Sequence, residues 1–386
     1  MRIAAIVLAA ASAFLFLWSY GVYPALAAAL ASSRRAPSGG TAAVDAAPAR
    51  PSADVIVSAA DEETVVAERI ANLLDPKVAG ADPPGILVGC DGCLDGTAAA
   101  ARAAGGARTR VVEFRERRGK ASVLNDLVRV SSADVLVFTD ANTVFAAGAL
   151  DALRRRFDDP SVGAVCGRLE FETAAGACAT PESAYWDRET RSKEAEGELG
   201  VCLGANGAIY AARRELVAPL PDDTTSMDDF LIPARVARAG RRVVFAGDAV
   251  AREDAARDVA AEAARRFRIG IGAGQVLRRE LWLWVWPRHP RLTLAFFSRK
   301  AARWLAPVLG LAAAVSALGV PGWRLAGAAV LAAAALLLAS ARLRPALGGI
   351  AGRLYYFAVL NVALALGVSA GLAGYARPAW DRTARA

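Results

Sequence analysis

The residues most able to do chemistry are aspartates at the ends of apolar runs. Asp91 follows ILVGC, Asp140 closes DVLVFTD, and Asp228-Asp229 stand side by side ahead of FLIPARV. Carboxylates can hold a hard divalent cation and can take a proton from a hydroxyl. They do both without histidine, cysteine or a serine triad. The chain offers little else, because its only histidine is His289 and its five cysteines are scattered apart from Cys90 and Cys93. A structural zinc site needs four ligands. Cys90 and Cys93 are therefore expected to be small side chains of a strand and turn in a reducing compartment.

Strand ends need strands. DVIVSAA, GILVGC, TRVVEF and ADVLVFTD read as β-strands, and AIYAARR as a later one. EETVVAERIANLLD, LDGTAAAARAAG and GKASVLNDLVRVS carry helical spacing between them. Alternation of this kind predicts an α/β domain of parallel βαβ units, with ligands at the carboxyl ends of the strands. Asp91 and Asp140 both fall there.

The surroundings of this domain are apolar. Hydrophobic residues make up 55% of the 386-residue chain, and mean hydropathy is +0.31. Residues 3–31 hold 29 positions without a charge, more than the ~20 that cross a bilayer as helix. Residues 1–35 are thus expected to be an N-terminal transmembrane anchor. Residues 36–53, rich in Ala, Pro, Gly and Ser, follow as a flexible linker. The α/β domain spans 54–275. Residues 276–300 mix Trp282, Trp284 and Trp286 with arginines, as an amphipathic segment in the headgroup region would; Pro287 and Pro290 are expected to stop a spanning helix there. Residues 301–386 hold three more apolar segments, about 304–320, 324–341 and 354–376, giving four spans in total.

The net charge of +8 comes from 46 basic against 38 acidic residues. Only Lys77, Lys120, Lys193 and Lys300 are lysine. Many of the basic residues flank the apolar segments, among them Arg278, Arg279, Arg299, Lys300 and Arg303, where they meet lipid headgroups and fix topology. No nucleic-acid partner is expected from this pattern.

Taken in order, VIVSAADEE, VGCDGCLDGT, RRGKASVLN, VFTDANT, LGANGAIYAARRE, SMDDFLIPARV and RRFRIG resemble a family 2 glycosyltransferase. The likeness covers about residues 54–275, and the apolar C-terminal segments resemble the membrane-embedded bacterial branch. It implies a GT-A fold, a Rossmann-like nucleotide-sugar-binding domain. It further implies that Asp91 contacts the uracil ring, that Glu62 keeps the acidic position of the first loop, and that Lys120 approaches the donor. Asp140 and Asn142 become the ligands of Mg or Mn. Asp229 becomes the catalytic base beside Asp228, and Asn206 lies in an acceptor loop, Gly204-Ala205-Asn206-Gly207. Arg265 and Arg268 stand where processive members carry Gln-x-x-Arg-Trp, and would hold the departing diphosphate. The first loop, Ser58-Ala59-Ala60-Asp61, departs from the family's Pro-x-Tyr/His-Asn run.

The resemblance therefore implies inverting, metal-dependent transfer of a hexose from a UDP-sugar to a glycan or lipid-linked acceptor. Such an enzyme would be multi-pass in a bacterial inner membrane, in contact with membrane lipid, with its catalytic domain in the cytoplasm. A processive polysaccharide synthase with a degenerate Gln-x-x-Arg-Trp motif is the alternative among enzymes. A catalytically inactive partner of a polysaccharide-export complex is the alternative outside them.

Overall fold

The computed structural model describes residues 1–33, 50–80, 82–172, 181–254, 259–285, 287–340 and 349–377. The expected linker lies almost wholly outside the described residues. Among the described residues the sheet has eight strands: β1 Ala53–Ala59, β2 Gly85–Asp91, β3 Thr109–Phe114, β4 Val135–Asp140, β5 Val144–Phe145, β6 Val162–Glu172, β7 Tyr210–Arg213 and β8 Arg242–Asp254. Their order is β3-β2-β1-β4-β7-β6-β8-β5. The first four run parallel, as the βαβ pattern requires. β7 then pairs antiparallel with both β4 and β6.

The sheet is thus mixed rather than all parallel, which has a consequence for the site. An antiparallel neighbour begins where β4 ends, so the residues entering β7 arrive beside Asp140. Phe138 and Tyr210 stack across this junction at 4.7 Å. Thr139 Oγ1 donates to the Ala208 carbonyl at 2.7 Å.

Helices close both faces. One core layer gathers Val55, Val57, Val66, Ile70, Val88, Val137 and Leu153. The other runs from Ile56, Leu136 and Tyr210 through Phe230 to Phe296 and Trp304. It continues without a break into the C-terminal helices and takes in Tyr23, Ala27 and Ala31 of the N-terminal helix.

Among the described residues, three helices are long and apolar enough to cross a membrane: Arg2–Ser32, Pro290–Leu318 and Ala351–Leu372. The fourth expected span, Arg324–Ser340, is a shorter apolar helix. The boundary expected at residue 300 shifts. Pro290 does not stop a helix but starts one, standing at its first turn, where its missing N–H costs no hydrogen bond. The helix then runs to Leu318. Ahead of it, Leu281–Trp284 forms a 3-10 turn with Leu283 fully buried, and Trp284 packs edge-on to Phe296 at 5.2 Å. Trp286 lies outside the described residues. Trp284 thus packs on the helix that follows, while Trp282 lies under Arg238 of the α/β domain at 4.8 Å.

The C-terminal helix Gly349–Leu372 packs on the helix Val259–Arg279 through glycines. A side chain at Gly270 would meet the Leu364 carbonyl at 2.6 Å, and one at Gly367 the Phe267 carbonyl at 2.2 Å. Gly274 and Gly371 repeat the contact one turn on. Backbones this close leave no room for a Cβ, the small-residue packing that membrane helices use. Gly367→Leu is accordingly expected to cost about 1–3 kcal/mol. A lowered midpoint in thermal unfolding of the detergent-purified chain would register it; an unchanged midpoint would mean that the crossing bears no load.

Candidate active site

Asp140 ends β4, and its carboxylate meets Lys120 Nζ at 2.9 Å. Lys120 opens the helix Lys120–Val130 and also reaches Asp228 at 3.3 Å. Burial works against the charge on Lys120, but Asp140 and Asp228 outweigh it and raise its pKa above the ordinary lysine range. Asp228 and Asp229 begin the helix Asp228–Arg238, where the helix dipole favours acids. Asp228 is buried and accepts a hydrogen bond from the Tyr210 hydroxyl at 2.8 Å.

Asp229 differs from its neighbour. Burial first, and the adjacent Asp228 charge second, push its carboxyl up to about 6, against the opposing pull of Lys300, Lys120 and Lys193. A carboxylate tuned to that range accepts protons near neutral pH better than an ordinary aspartate does.

Gly207 shows how closely these groups converge. A Cβ there would lie 3.7 Å from Asp140 Oδ2, 3.8 Å from Asp229 Oδ2 and 3.9 Å from Lys120 Nζ. All three are ordinary contact distances, so the three groups converge on one point beside the Gly207 backbone. Its oxygen donors suit a hard cation. Asn142 follows in the turn after Asp140, half-buried. Thr143 next to it is tied to Glu253 at 2.9 Å.

Behind the site, Arg69 is buried. It donates to Thr139 Oγ1 at 2.8 Å and lies over the Phe145 ring at 4.1 Å. Burial lowers its pKa to about 9, with Asp140 and Glu253 resisting.

The loop Gly204–Gly207 is held at each position. Ala205 N–H donates to the Asp229 carbonyl at 2.9 Å. Asn206 Nδ2 donates to the Gly167 carbonyl at 2.8 Å, and its Oδ1 accepts from the buried Lys193. Gly204 has φ +77°, and a Cβ there would sit 2.3 Å from Lys300 Nζ. The left-handed φ is what calls for glycine. Asn206 was expected in this loop. Lys193 and Lys300 were not expected at the site, and Lys300 had read only as a cation marking topology.

Other expected residues stand elsewhere. Asp91 is fully buried at the end of β2, two strands from Asp140 across β1, so roughly 10 Å away by strand spacing. Its two oxygens accept from the Arg118 and Gly119 amides, both at 2.8 Å. Asp91 therefore fixes the turn that presents Lys120. Glu62 is buried at the start of the helix Glu63–Leu74, its N–H donating to Thr97 Oγ1 at 2.8 Å. Asp61 accepts from the Leu94 amide at 2.8 Å and Glu63 from Gly96 at 3.1 Å. The first loop is thus locked to the loop after β2. Asp61 and Ser226, the two non-glycine residues with left-handed φ among the described residues, sit on the loops that lead to Glu62 and to Asp228.

Asn125 grips the Leu220 backbone through both amide atoms at 2.8 Å. Gln275 holds Thr225 and Asp223 in the same way. Between them they set the loop leading to Asp228. Arg265 pairs with Glu262 on its own helix at 3.6 Å, and Arg268 follows one turn on, half-buried. Neither belongs to the aspartate cluster. Cys90 is inert in this setting, its thiol pushed up to about 12 by burial and by Cys93.

Arg299 and Arg303 do not face headgroups. Arg299 is fully buried between Glu189 and Glu196, and Arg303 meets Glu189 at 2.7 Å. Burial opposes the Glu189 charge, but Arg299 and Arg303 outweigh it and hold its carboxyl well below the usual range. Tyr23 of the N-terminal helix donates to Glu196 at 3.1 Å. Arg279 also pairs within the protein, with Asp223.

The profile of the family described as glycosyltransferase like family 2 matches residues 51–272. The chain belongs to that family and is a glycosyltransferase. Among solved structures it is similar to a mannosyltransferase from Pyrobaculum calidifontis, solved with GDP-mannose and Mn2+. Identity is 24% and the TM-score 0.60, over 95% of this chain and 99% of that one. The shared fold thus takes in the apolar helices as well as the sheet. Glucosyl-3-phosphoglycerate synthase from Mycobacterium tuberculosis, solved with Mn2+, UDP and glucosyl-3-phosphoglycerate, is similar at 22% identity. That match covers 57% of this chain and 78% of the other, with a TM-score of 0.38. No curated protein matches the chain.

Replacing Arg299 by Met would leave Glu189 and Glu196 buried without their main partner. Removal of one member of a buried ion network costs about 3–5 kcal/mol. Arg299→Met is expected to fall in that range in thermal or denaturant unfolding, and Arg303→Met, which leaves Glu189 paired with Arg299, well below it.

Proposed function

We propose that this glycosyltransferase moves a hexose from a nucleoside-diphosphate sugar to a hydroxyl of a membrane-proximal or lipid-linked glycan, with inversion at the anomeric carbon. The convergence of Asp140, Asp229 and Lys120 on one point beside Gly207 carries this reading. Transfer needs positive charge where the diphosphate leaves and a base where the acceptor hydroxyl arrives, and the two ends of this cluster supply them.

Asp140, with Asn142 beside it, would hold Mg2+ or Mn2+. When bound, such a cation neutralises the leaving diphosphate. Lys120, kept charged by Asp140 and Asp228, lies ready for a phosphate oxygen. Asp229 takes the acceptor proton as its oxygen closes on the anomeric carbon, and direct displacement inverts the configuration. Asp228, fixed by Tyr210 and Lys120, sustains the raised proton affinity of Asp229. The mannosyltransferase with the same fold was solved with a GDP-sugar and the synthase with UDP. We favour a UDP-sugar on the family resemblance, and both donor classes belong in the first screen. The apolar helices support a reaction at a membrane, for which we propose the inner membrane of a bacterium, catalytic domain in the cytoplasm.

The test is release of nucleoside diphosphate from a donor panel by the purified chain with Mn2+. Asp229→Asn is expected to lower turnover by roughly 10²–10⁴-fold while retaining donor binding. Asp140→Ala should weaken metal-dependent donor binding itself. Failure to turn over any donor would defeat the proposal. The pH profile gives a second check. A base must be unprotonated, so the rate should fall as pH drops through about 6, the position of Asp229. An acid limb near the ordinary aspartate value would remove Asp229 from that role.

A further inference from the structure

The last apolar helix, Gly349–Leu372, has the length and composition of a span, but its contacts put that length to another use. Its main partner is the helix Val259–Arg279. Gly270 meets Gly367, Gly274 meets Gly371, and Arg278 approaches Gly374. Both numbers rise together, so the two helices run parallel. At their earlier turns Ala263 packs with Val359, Leu360 and Ala363. The partner carries Glu262, Arg265, Arg266, Arg268, Arg278 and Arg279. Charges in that number keep it out of hydrocarbon, and a helix bound along it stays out too.

The other apolar helices mark where a membrane would lie. Ser12 donates to the Ala306 carbonyl at 2.7 Å, and Arg303 lies over the Tyr20 ring at 4.6 Å, so the first helix runs antiparallel to Pro290–Leu318. At one end of this pair Arg299 and Arg303 meet Glu189 of the catalytic domain. At the other, Gly319 lies against Met1, and Arg2 stands over the Trp323 ring at 5.5 Å. From Met1 to Ser19 the helical rise gives about 27 Å, close to the ~30 Å of a bilayer core. Arg324–Ser340 returns from the Trp323 end, with Gly327 against Ala314 and Ala317. Its last residue, Ser340, bonds to the Tyr355 hydroxyl at 3.0 Å, and Phe357 packs with Phe16 and Tyr20. The last helix therefore begins on the catalytic side of this slab. It also ends there, where the Arg377 amide donates to Thr225 Oγ1 at 3.0 Å, on the loop ahead of Asp228.

We infer that Gly349–Leu372 does not cross the membrane but lies along its catalytic side, with the exposed Leu354, Phe357, Leu366 and Leu372 against the lipid headgroup layer. The inference rests on the reading that this chain is set in a membrane, and not on its chemistry. Among the described residues the crossings are then three, at 2–20, 304–320 and 324–340. The span expected at about 354–376 gives way, and the headgroup role expected of residues 276–300 passes to this helix. Charge supports the same placement. Arg342, Arg344 and Arg353 stand at the start of the helix, and Arg377, Arg382 and Arg385 follow it. A crossing helix would part these two groups across the bilayer, whereas one on the surface keeps both on the catalytic side, as the bias of basic residues to one face requires. The turn at the other face, Val320–Trp323, has no charge.

The test places an epitope tag, one at a time in the full chain, ahead of Met1, at Gly322, at Gly106 and after Ala386. Gly106 and Gly322 are exposed turns with free space around them. Sealed membrane vesicles are then probed with antibody from outside. The Ala386 tag is expected on the same face as the Gly106 tag, and the Met1 and Gly322 tags on the other. An Ala386 tag that sides with Gly322 overturns the inference and leaves the membrane reading standing. All four tags on one face would overturn both. The untagged chain gives a second measurement, by reconstitution with lipids that carry a photoreactive diazirine either in the headgroup or at the acyl end. Residues 354–372 are expected to be labelled several-fold more from the headgroup, and residues 304–318 more from the acyl end. Labelling of 354–372 from the acyl end to the same degree as 304–318 overturns the surface placement.

Discussion

Arg299 has no exposed surface, and charge without water must be met by charge or by hydrogen bonds. Glu189 and Glu196 meet it, and they lie on a different stretch of chain, the helix Pro181–Glu198. Glu196 in turn takes the hydroxyl of Tyr23, from the N-terminal helix, and the amide of Leu203. Helices that read as membrane segments and a helix of the catalytic domain are thereby fixed to one another at a buried point. Any slip along this seam would strip a carboxylate or a guanidinium of its partner. Apolar packing alone, being non-directional, would not set the register so sharply.

From that point the order passes to the site in a few steps. Leu203 precedes Gly204, which lies against Lys300, the residue after Arg299. Ala205 bonds to the Asp229 backbone, Asn206 to Lys193, and Gly207 opens onto the carboxylates. The antiparallel entry of β7 then carries the chain past Asp140 into the Phe138–Tyr210 stack, and Tyr210 returns to Asp228. A four-residue loop thus connects the apolar helix to both ends of the reaction. The two glycines differ in purpose, one fitted to an ammonium at positive φ and the other keeping space for ligands.

The first four strands and their parallel pairing were legible because β-branched runs alternate with helical spacing between glycine and proline breaks. β6 and β8 were not. Gly163 and Gly167 interrupt β6, Gly247-Asp248 breaks β8, and the register between them shifts. Asp140, Asp228, Asp229 and Lys120 were legible as a set, since strand ends and helix starts have local signatures. Lys193 and Lys300 were not, because more than a hundred residues separate them and Lys300 sits among apolar residues where cations usually mark topology. Asp91 showed the opposite limit. Its position at a strand end was right, but sequence says nothing about which amides fold back onto its oxygens. The signal that could have found the lysines is compositional: a residue type used four times and clustered three times at one place.

The unit that sequence similarity marks out, about residues 54–275, is therefore not a physical unit. It contains Glu189 and Glu196 but neither Arg299 nor Arg303, which neutralise them, nor Tyr23. It contains Gly204, Lys193 and Asp229 but lacks Lys300. Cut at those limits, the domain would keep two buried carboxylates without the guanidiniums that neutralise them and a loop with one of its supports gone. The N-terminal helix shares this role, since Tyr23, Ala27 and Ala31 complete the same core. A tether can be exchanged for any apolar helix of equal length, whereas these helices carry particular residues into particular contacts. On physical grounds the apolar helices belong to the catalytic machine.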